Sequence, residues 1–154
     1  MSTRDATATP RGCTNYKLRQ LTRRVTQHYD NVVGTCGLKT TQYSLLSQID
    51  RLGPVRPSDL AAAMTMDAST LTRNLQPLVE RGWAEIGPGA DGRSRLVVLT
   101  AAGRTKRTEA QRAWKRAQLA LNEQLGSARV AELHALLDDC LAALSTDAEE
   151  KTDA

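Results

Sequence analysis

Apolar residues recur every three or four positions along most of the chain, the spacing expected for helices that bury one face. The first such stripe covers 14–34, with basic residues on its polar sides. A second, shorter stripe follows Gly37, has Thr40 or Thr41 as its candidate N-cap, and ends at Gly53. The pattern therefore predicts two helices in the first third of the chain.

Local signals in the middle of the chain predict two further helices joined by a tight turn. Pro57 fixes the backbone angle that suits the first turn of a helix, and a compact apolar run follows it up to Met64. Asp67 is a candidate N-cap for a fourth helix, which Gly82 ends. Two helices separated by such a turn have the geometry of a helix-turn-helix unit.

The helical spacing is lost after Gly82. Residues 83–86 and 95–99 are short strand-like runs, and the connection between them is rich in glycine. This arrangement predicts a β-hairpin, and a hairpin directly after the second helix of a helix-turn-helix is a wing. Helical spacing then returns in two long segments separated by Gly126.

These elements predict a mainly α fold, a winged helix-turn-helix with a two-stranded β-wing flanked by N- and C-terminal dimerisation helices. Because one small winged unit cannot bury the apolar stripes on both flanks, we expect them to pack on a second copy in a homodimer. The predicted segments are a flexible arm over 1–12, an N-terminal dimerisation helix over 13–37, the winged lobe over 38–100, C-terminal dimerisation helices over 101–146 and an acidic tail over 147–154.

Length and composition narrow the class of protein. The 154 residues fit one domain with short tails, and the chain has no Phe. No apolar run approaches the roughly 20 residues that a membrane span needs, and the N-terminal residues lack the apolar stretch of a signal peptide. We therefore expect a cytoplasmic protein without membrane contact.

No set of residues in the sequence points to an enzyme. His28 and His134 lie far apart, and neither has a nearby nucleophile motif. The glycines at 87–89 lack the Lys-Ser/Thr that follows them in a phosphate loop. The three cysteines show no metal-ligand spacing. We expect a non-enzymatic chain that needs neither a cofactor nor a metal.

Hydrogen-bonding side chains cover the predicted second helix of the helix-turn-helix, with few acids among them. Arg suits guanine, Asn and Gln suit adenine, and Ser and Thr reach phosphates or base edges. On the hairpin, an Asp can hold one Arg side chain while another enters the narrow minor groove. The predicted DNA-binding residues are Ser69, Thr70, Thr72, Arg73, Asn74, Gln76, Asp91, Arg93, Ser94 and Arg95.

Four short strings carry a family resemblance that runs from about 16 to 144. They are Ser69-Thr70-Leu71-Thr72-Arg73, Leu78-Val79-Glu80-Arg81-Gly82-Trp83, Asp91-Gly92-Arg93-Ser94-Arg95 and Leu99-Thr100-Ala101-Ala102-Gly103. Together they resemble the recognition helix, helix exit, wing and helix restart of the MarR family, the multiple-antibiotic-resistance regulators. The resemblance implies a winged-helix homodimer that binds a short palindromic operator on double-stranded DNA, usually as a repressor. It also implies that Arg93 enters the minor groove and that Asp91 orients it.

Two triggers for release from DNA stay open. The first is a small aromatic or phenolic acid, bound as in similar proteins between the dimer helices and the winged lobe. Tyr16, Arg19 and Tyr43 are candidates, because a carboxylate needs a cationic or hydroxyl partner and a ring needs apolar walls. The alternative interpretation is that both tyrosines are packing residues and the arginine is a solvated charge.

The second trigger is oxidation of a cysteine. Cys13 precedes a helix N-terminus in a basic segment that favours the thiolate. Cys36 is a candidate partner for it across a dimer, whereas Cys140 lies on an apolar stripe and is expected in the core. The tyrosines that accompany such a cysteine in redox-sensing members of the family do not fall at the same spacing here.

A winged helix that contacts only proteins is the remaining alternative. Such a domain has no need for an arginine-bearing wing beside a helix rich in Ser, Thr and Arg. Salt-sensitive binding to duplex DNA distinguishes the two classes.

Overall fold

The computed structural model describes the main chain of residues 9–150 and the side chains of residues 9–145. The helices are α1 (Thr14–Val33), α2 (Thr40–Leu52), α3 (Pro57–Ala63), α4 (Ala68–Glu80), α5 (Ala101–Leu125) and α6 (Ser127–Glu150). The strands are β1 (Ala84–Pro88) and β2 (Arg95–Leu99), and a 3-10 turn over Gly34–Cys36 follows α1. The predicted fold class, a mainly α winged helix-turn-helix, is confirmed.

The two chain ends fall partly outside the described residues. Of the predicted arm, 9–12 precede α1 and are exposed, whereas 1–8 are not described. At the other end α6 continues to Glu150, past the predicted boundary at 146, and 151–154 are not described. Alanine and glutamate are good helix formers, which is consistent with this continuation.

The start of α2 differs from the prediction. The N-cap is Lys39, and Thr40 is already the first helical residue. The Lys39 backbone N–H donates to Gln42 Oε1 at 2.9 Å, and the Thr40 N–H donates to Asp30 Oδ1 at 2.7 Å. Because Asp30 belongs to α1, the cap comes from a neighbouring helix, and neither Thr40 nor Thr41 supplies it.

The helix-turn-helix and the wing are built as the local signals predict. Pro57 opens α3, and the Asp67 carboxylate caps α4 by accepting from the Thr70 N–H at 2.7 Å. At the other end of α4, the N–H groups of Gly82 and Trp83 donate to the carbonyls of Val79 and Leu78 at 2.9 Å each, with Gly82 at φ 72°. This is the Schellman pattern that ends helices.

The wing is an antiparallel hairpin that is also tied to the chain before α3. Ala84 pairs with Leu99 at its base and Pro88 with Arg95 at its far end. Val55 adds an isolated bridge to Val97, with N···O distances of 3.1 and 2.8 Å. The entry to α3 is therefore fixed against β2.

The core lies where α2, α3, α4 and β2 meet. Its fully buried large side chains are Leu45, Leu46, Ile49, Leu60, Leu71, Leu78, Val33 and Val97. Small residues on α5, namely Ala110, Ala113 and Ala117, are also fully buried. They let α1 approach closely enough for His28 Nε2 to hydrogen-bond with the Ala117 carbonyl at 2.8 Å and for the Tyr29 hydroxyl to donate to Gln118 Oε1.

Helix α6 packs loosely on the rest of the chain. Of its described side chains only Val130 is buried, whereas Leu136, Leu141 and Leu144 are exposed. Cys140 is exposed too, so its predicted place in the core is wrong for the single chain. The reason is that its stripe continues beyond the part of α6 that meets α5.

None of the described helices is both long and apolar enough to cross a bilayer.

A close approach of α5 to the wing base gives a testable prediction. A Cβ at Gly103 would lie 1.9 Å from the Trp83 carbonyl oxygen. We therefore expect Gly103→Ala to destabilise the fold by about 1–3 kcal/mol, the usual range for overpacking. The matched control is Gly34→Ala, because Gly34 is helical and has nothing within 4 Å of its Cβ position.

Urea unfolding of both variants checks this expectation. Gly34→Ala should unfold at the wild-type midpoint or above it, since alanine favours helical backbone by about 0.5–1 kcal/mol. A Gly103→Ala protein as stable as wild type would contradict the close approach.

Candidate nucleic-acid interface

Helix α4 separates its apolar and polar residues cleanly. Leu71, Leu75 and Leu78 are buried against the core. Of the six residues predicted on this helix, the four exposed ones share the opposite face: Ser69, Thr72, Arg73 and Gln76. The structure therefore brings these four together on one outward surface.

The other two predicted residues of α4 lie closer to the core. Thr70 and Asn74 are half-buried. The Asn74 Nδ2 amide donates to the Met66 sulfur at 3.7 Å, which turns it towards the helix-turn-helix turn. Gln76 remains on the outer face and donates to Glu80 Oε1 at 2.9 Å.

The hydroxyl groups at the start of α4 are organised by Asp67. Ser69 Oγ donates to Asp67 Oδ1 at 2.7 Å, and Thr70 Oγ1 donates to Oδ2 at 3.0 Å. Thr72 Oγ1 donates to the Ala68 carbonyl at 2.9 Å. With their protons used in this way, these hydroxyls present acceptor lone pairs to the outside.

The same bonds change the acidity of Asp67. The Ser69 hydroxyl, followed by the Thr70 backbone and side chain, holds its pKa at about 2, below the usual 3.8. The carboxylate therefore stays ionised as a helix cap at any pH near neutrality.

The wing loop is organised by a second carboxylate, that of Asp91. Its Oδ1 accepts from the Ser94 hydroxyl at 2.6 Å, the Ser94 N–H at 2.8 Å and the Arg93 N–H at 3.0 Å. In the described part of the chain Asp91 forms no ion pair with an arginine side chain, contrary to the expected contact. It orients Arg93 through the main chain instead, because the tight loop brings the amides closer than any guanidinium.

Three guanidinium groups on α4 and the wing are left without partners. Arg73, Arg93 and Arg95 are exposed, and within residues 9–145 none of these side chains forms a hydrogen bond or an ion pair. The helix and the wing are neighbours, because Thr72 and Gln76 line the same groove of about 260 Å³ as Ile86 of β1. The outcome is a surface with free positive charge on both elements.

The base of the wing carries a cluster that sequence reasoning missed. Two cations lie near the Trp83 ring, with Arg81 Cζ 5.0 Å and Lys106 Nζ 5.7 Å from its centroid. Arg81 Nη1 also donates to the Gly37 carbonyl at 3.0 Å. Arg81 is a near neighbour of Trp83 in sequence, whereas Lys106 and Gly37 come from distant parts of the chain, so no local pattern revealed the whole cluster. It ties the end of α4 to α5 and to the turn before α2.

The three residues predicted to hold an effector are not brought together within one chain. Tyr43 is buried in the core with its ring 6.1 Å from that of Trp114. Tyr16 is 61% exposed and Arg19 is exposed, both near the start of α1. At 1.5 Å per residue they lie about 21–26 Å along α1 from its end at Val33, which leads towards α2.

The two predicted redox cysteines lie at opposite ends of α1. Cys13 is the exposed N-cap of this helix, and Cys36 is half-buried in the 3-10 turn that follows it. A helix of 20 residues separates them by about 30 Å. Because a disulfide needs Cα atoms within about 7 Å, the two cysteines of one chain cannot pair.

Residues 9–145 contain no cluster of three or more His, Cys, Asp or Glu side chains that could hold a metal ion.

Comparisons with known proteins agree with this geometry. The family model described as MarR family matches residues 37–94. YwoH of Bacillus subtilis, an uncharacterised HTH-type transcriptional regulator, is 29% identical over 85 residues, which are 55% of this chain and 62% of YwoH. The match thus spans about three fifths of that relative.

Solved structures cover more of the chain. The crystal structure of the M. tuberculosis transcriptional regulator MosR is 30% identical, with a TM-score of 0.70 over 85% of this chain and 96% of MosR. MosR in complex with DNA is likewise 30% identical, with a TM-score of 0.67 over 84% of this chain and 98% of that one.

The order of helices and the hairpin after α4 define a winged helix-turn-helix protein. On the family match and the likeness to MosR, the chain belongs to the MarR family of transcriptional regulators, as its motifs predict. This is a family of regulators and not of enzymes.

The bonds to Asp91 predict a pH dependence. Its pKa in the folded chain is about 2, lowered first by the Ser94 hydroxyl, against 3.8 in the unfolded chain. The carboxylate therefore stabilises the fold above about pH 4, and this contribution is lost as the pH falls through about 2. We expect Ser94→Ala to raise the pKa of Asp91 towards its usual value.

Carboxyl titration followed by NMR measures both aspartates at once. The matched control is Ser69→Ala, which should raise the pKa of Asp67 and leave that of Asp91 unchanged. A wild-type Asp91 that titrates near 3.8 would show that the loop bonds do not form in solution.

Proposed function

We propose that the chain acts as a homodimeric transcriptional repressor that binds a palindromic operator through α4 and the wing. The observation that carries this proposal is the set of unpaired guanidinium groups on the two elements, those of Arg73, Arg93 and Arg95. MosR, at 30% identity, has been crystallised in complex with DNA, which supports the same partner here. Because a repressor acts on chromosomal DNA, the proposed location of the protein is the cytoplasm.

In this proposal α4 lies in the major groove and the wing reaches the minor groove. Arg73 and Gln76 stand on the outer face of α4, where arginine suits guanine and glutamine suits adenine. Arg93 leaves the wing loop next to amides fixed by Asp91, so its side chain starts from an ordered main chain. The narrow minor groove attracts such a cation.

The homodimer is inferred from apolar surface on the long helices. The exposed large apolar side chains of α1, α5 and α6 are Tyr16, Leu18, Leu21, Leu119, Leu136, Leu141 and Leu144. A groove of about 250 Å³ between these helices is lined mainly by leucines and valines. Monomeric proteins rarely expose apolar patches of this extent. In this proposal a second copy of the chain covers the exposed apolar side chains and the groove. The two-fold axis of the dimer then presents two α4 helices to half-sites about 34–36 Å apart.

The DNA-binding proposal is tested most directly at the wing. We expect Arg93→Ala to weaken binding to the operator by about 1 to 3 kcal/mol, the usual effect of losing one specific arginine contact. Binding is measured on duplex from the upstream intergenic region of the gene at two salt concentrations. The matched control is Arg112→Ala, an exposed arginine about 16 Å along α5 from its start, which should bind as wild type does.

Light scattering and unfolding confirm that each variant remains a folded dimer. Equal affinity of Arg93→Ala and wild type would overturn the role of the wing. If the folded wild-type dimer bound neither its upstream region nor any genomic fragment in a selection, the winged helix would be a protein-contact module instead.

For the trigger we propose a small aromatic or phenolic acid that binds where the long helices meet the winged lobe. Tyr16 and Arg19 offer a hydroxyl and a cation on exposed α1, and Tyr43 with Trp114 offers aromatic walls. Since one chain holds these groups apart, the site in this proposal combines the lobe of one protomer with α1 of its partner.

Oxidation is the second candidate trigger, and the exposed Cys13 thiol at the start of α1 favours it. Because Cys13 and Cys36 of one chain lie about 30 Å apart, a disulfide between them joins two protomers. Cys13 alone, oxidised to a sulfenic acid, is the other form of this trigger.

One binding experiment separates the two triggers. We expect a panel of benzoic acids, with and without ring hydroxyls, to release wild type and Cys13→Ser from the operator equally, because the effector site does not include the thiol. Peroxide is added in a parallel series, with Cys140→Ser as the matched control for an exposed cysteine. Release of wild type by peroxide alone, abolished in Cys13→Ser, would establish oxidation as the trigger in place of the aromatic acid.

A further inference from the structure

Arg56 occupies a position fixed from both sides. The residue before it, Val55, is buried and bridged to Val97 of β2 by two backbone hydrogen bonds of 3.1 and 2.8 Å. The residue after it, Pro57, opens α3. Arg56 itself is extended, with φ −68° and ψ 142°, and exposed. Its side chain therefore leaves an anchored main chain towards solvent.

The surroundings of Arg56 are those of the DNA-binding face. Pro57 lines the same groove as Thr72 and Gln76, so the start of α3 adjoins the outer face of α4. On the other side the positive charge of Arg56 acts on Asp91 in the wing loop and contributes to its lowered pKa, after the bonds from Ser94 and Arg93. Arg56 thus lies between the recognition helix and the wing.

The wing carboxylate does not bind the guanidinium group of Arg56. The Asp91 carboxylate, on which the charge of Arg56 acts, is taken up by Ser94 and by the Arg93 amide. Within the described side chains Arg56 has neither a hydrogen bond nor an ion pair. A cation held on a fixed main chain, with no anion of the protein bound to it, is suited to an external anion.

We propose that Arg56 contacts a phosphate of the DNA backbone between the major groove read by α4 and the minor groove entered by the wing. In helix-turn-helix proteins the first helix of the pair crosses the backbone, and here that helix is α3. Phosphate contacts fix the register of a protein on the duplex without reading sequence. The inference rests on the proposed DNA binding and adds a positioning residue that the motifs of the chain do not mark.

The test compares Arg56→Gln with Arg56→Lys in the full-length protein. Glutamine removes the charge, so we expect affinity to fall on the order of tenfold, equally for operator and random duplex. Each phosphate contact contributes about 0.9 to the slope of log affinity against log salt, so the slope should fall by about 2 for the two copies in a dimer. Lysine keeps the charge and should restore most of both quantities.

Arg112→Gln is the matched control, since it removes the same charge from exposed α5 and should leave the slope as in wild type. Wild-type affinity and slope in Arg56→Gln would overturn the inference. Loss on the operator alone, with random duplex unaffected, would also overturn it, because that result indicates base reading. If wild type itself bound no DNA, the proposed function would fail, and this inference with it. If wild type bound DNA and Arg56→Gln bound it equally well, only this inference would fail.

An unfolding curve for each variant completes the test. We expect both Arg56 variants to unfold at the wild-type midpoint, because the side chain is exposed and forms no hydrogen bond or ion pair with the described residues. If Arg56→Gln were destabilised, the Arg56→Lys protein would still decide the matter: a folded lysine variant with a lowered slope contradicts a phosphate contact by point charge.

Discussion

One threonine, Thr100, joins α4, the wing and the long helix α5. Thr100 Oγ1 donates to the Gly82 carbonyl at 2.6 Å and accepts from the Gly103 N–H at 3.0 Å, while its own N–H donates to the Trp83 carbonyl at 3.1 Å. The exit of α4, the base of the wing and the first turn of α5 therefore meet at one residue. The Trp83 carbonyl lies so close to Gly103 that a side chain at position 103 would not fit. The start of α5 is therefore held close against the base of the wing.

Two acids, Asp67 at the start of α4 and Asp91 in the wing loop, shape the backbone through bonds to nearby hydroxyls and amides. Asp67 bonds to hydroxyls and an amide at the start of α4, and Asp91 does the same in the wing loop. A carboxylate satisfied by neutral donors keeps its full charge in place without capturing a guanidinium. Within the described chain Arg73, Arg93 and Arg95 consequently form no ion pair with these acids, which supports the proposed contacts with phosphates and bases.

The sequence predicts those parts of the fold whose causes are local. Pro57, Asp67 and Gly82 act on their own turns, so the bounds of α3 and α4 and the position of the wing follow from them. Two predictions were wrong because they depend on tertiary contacts. Asp30 of α1 caps α2, and Cys140 is exposed because α6 extends beyond its contact with α5. The site divides in the same way. The outward face of α4 follows from helical spacing and the bonds of Asp91 are made within its own loop, whereas the place of Arg56 depends on the tertiary bridge between Val55 and Val97.

Helix α5 runs from the base of the wing to the long helices. The unpaired arginines lie on α4 and on the wing, whereas the exposed leucines lie along α6 and the neighbouring parts of α1 and α5. A helix of 25 residues spans about 37 Å, too far for a ligand at one end to touch the other. In the proposed dimer, a trigger that binds among the long helices therefore acts on the two α4 helices at a distance, and α5 is the element that connects the two places. The spacing of the two α4 helices is what such a trigger has to affect, because half-sites on DNA are spaced by the helical repeat of about 34–36 Å.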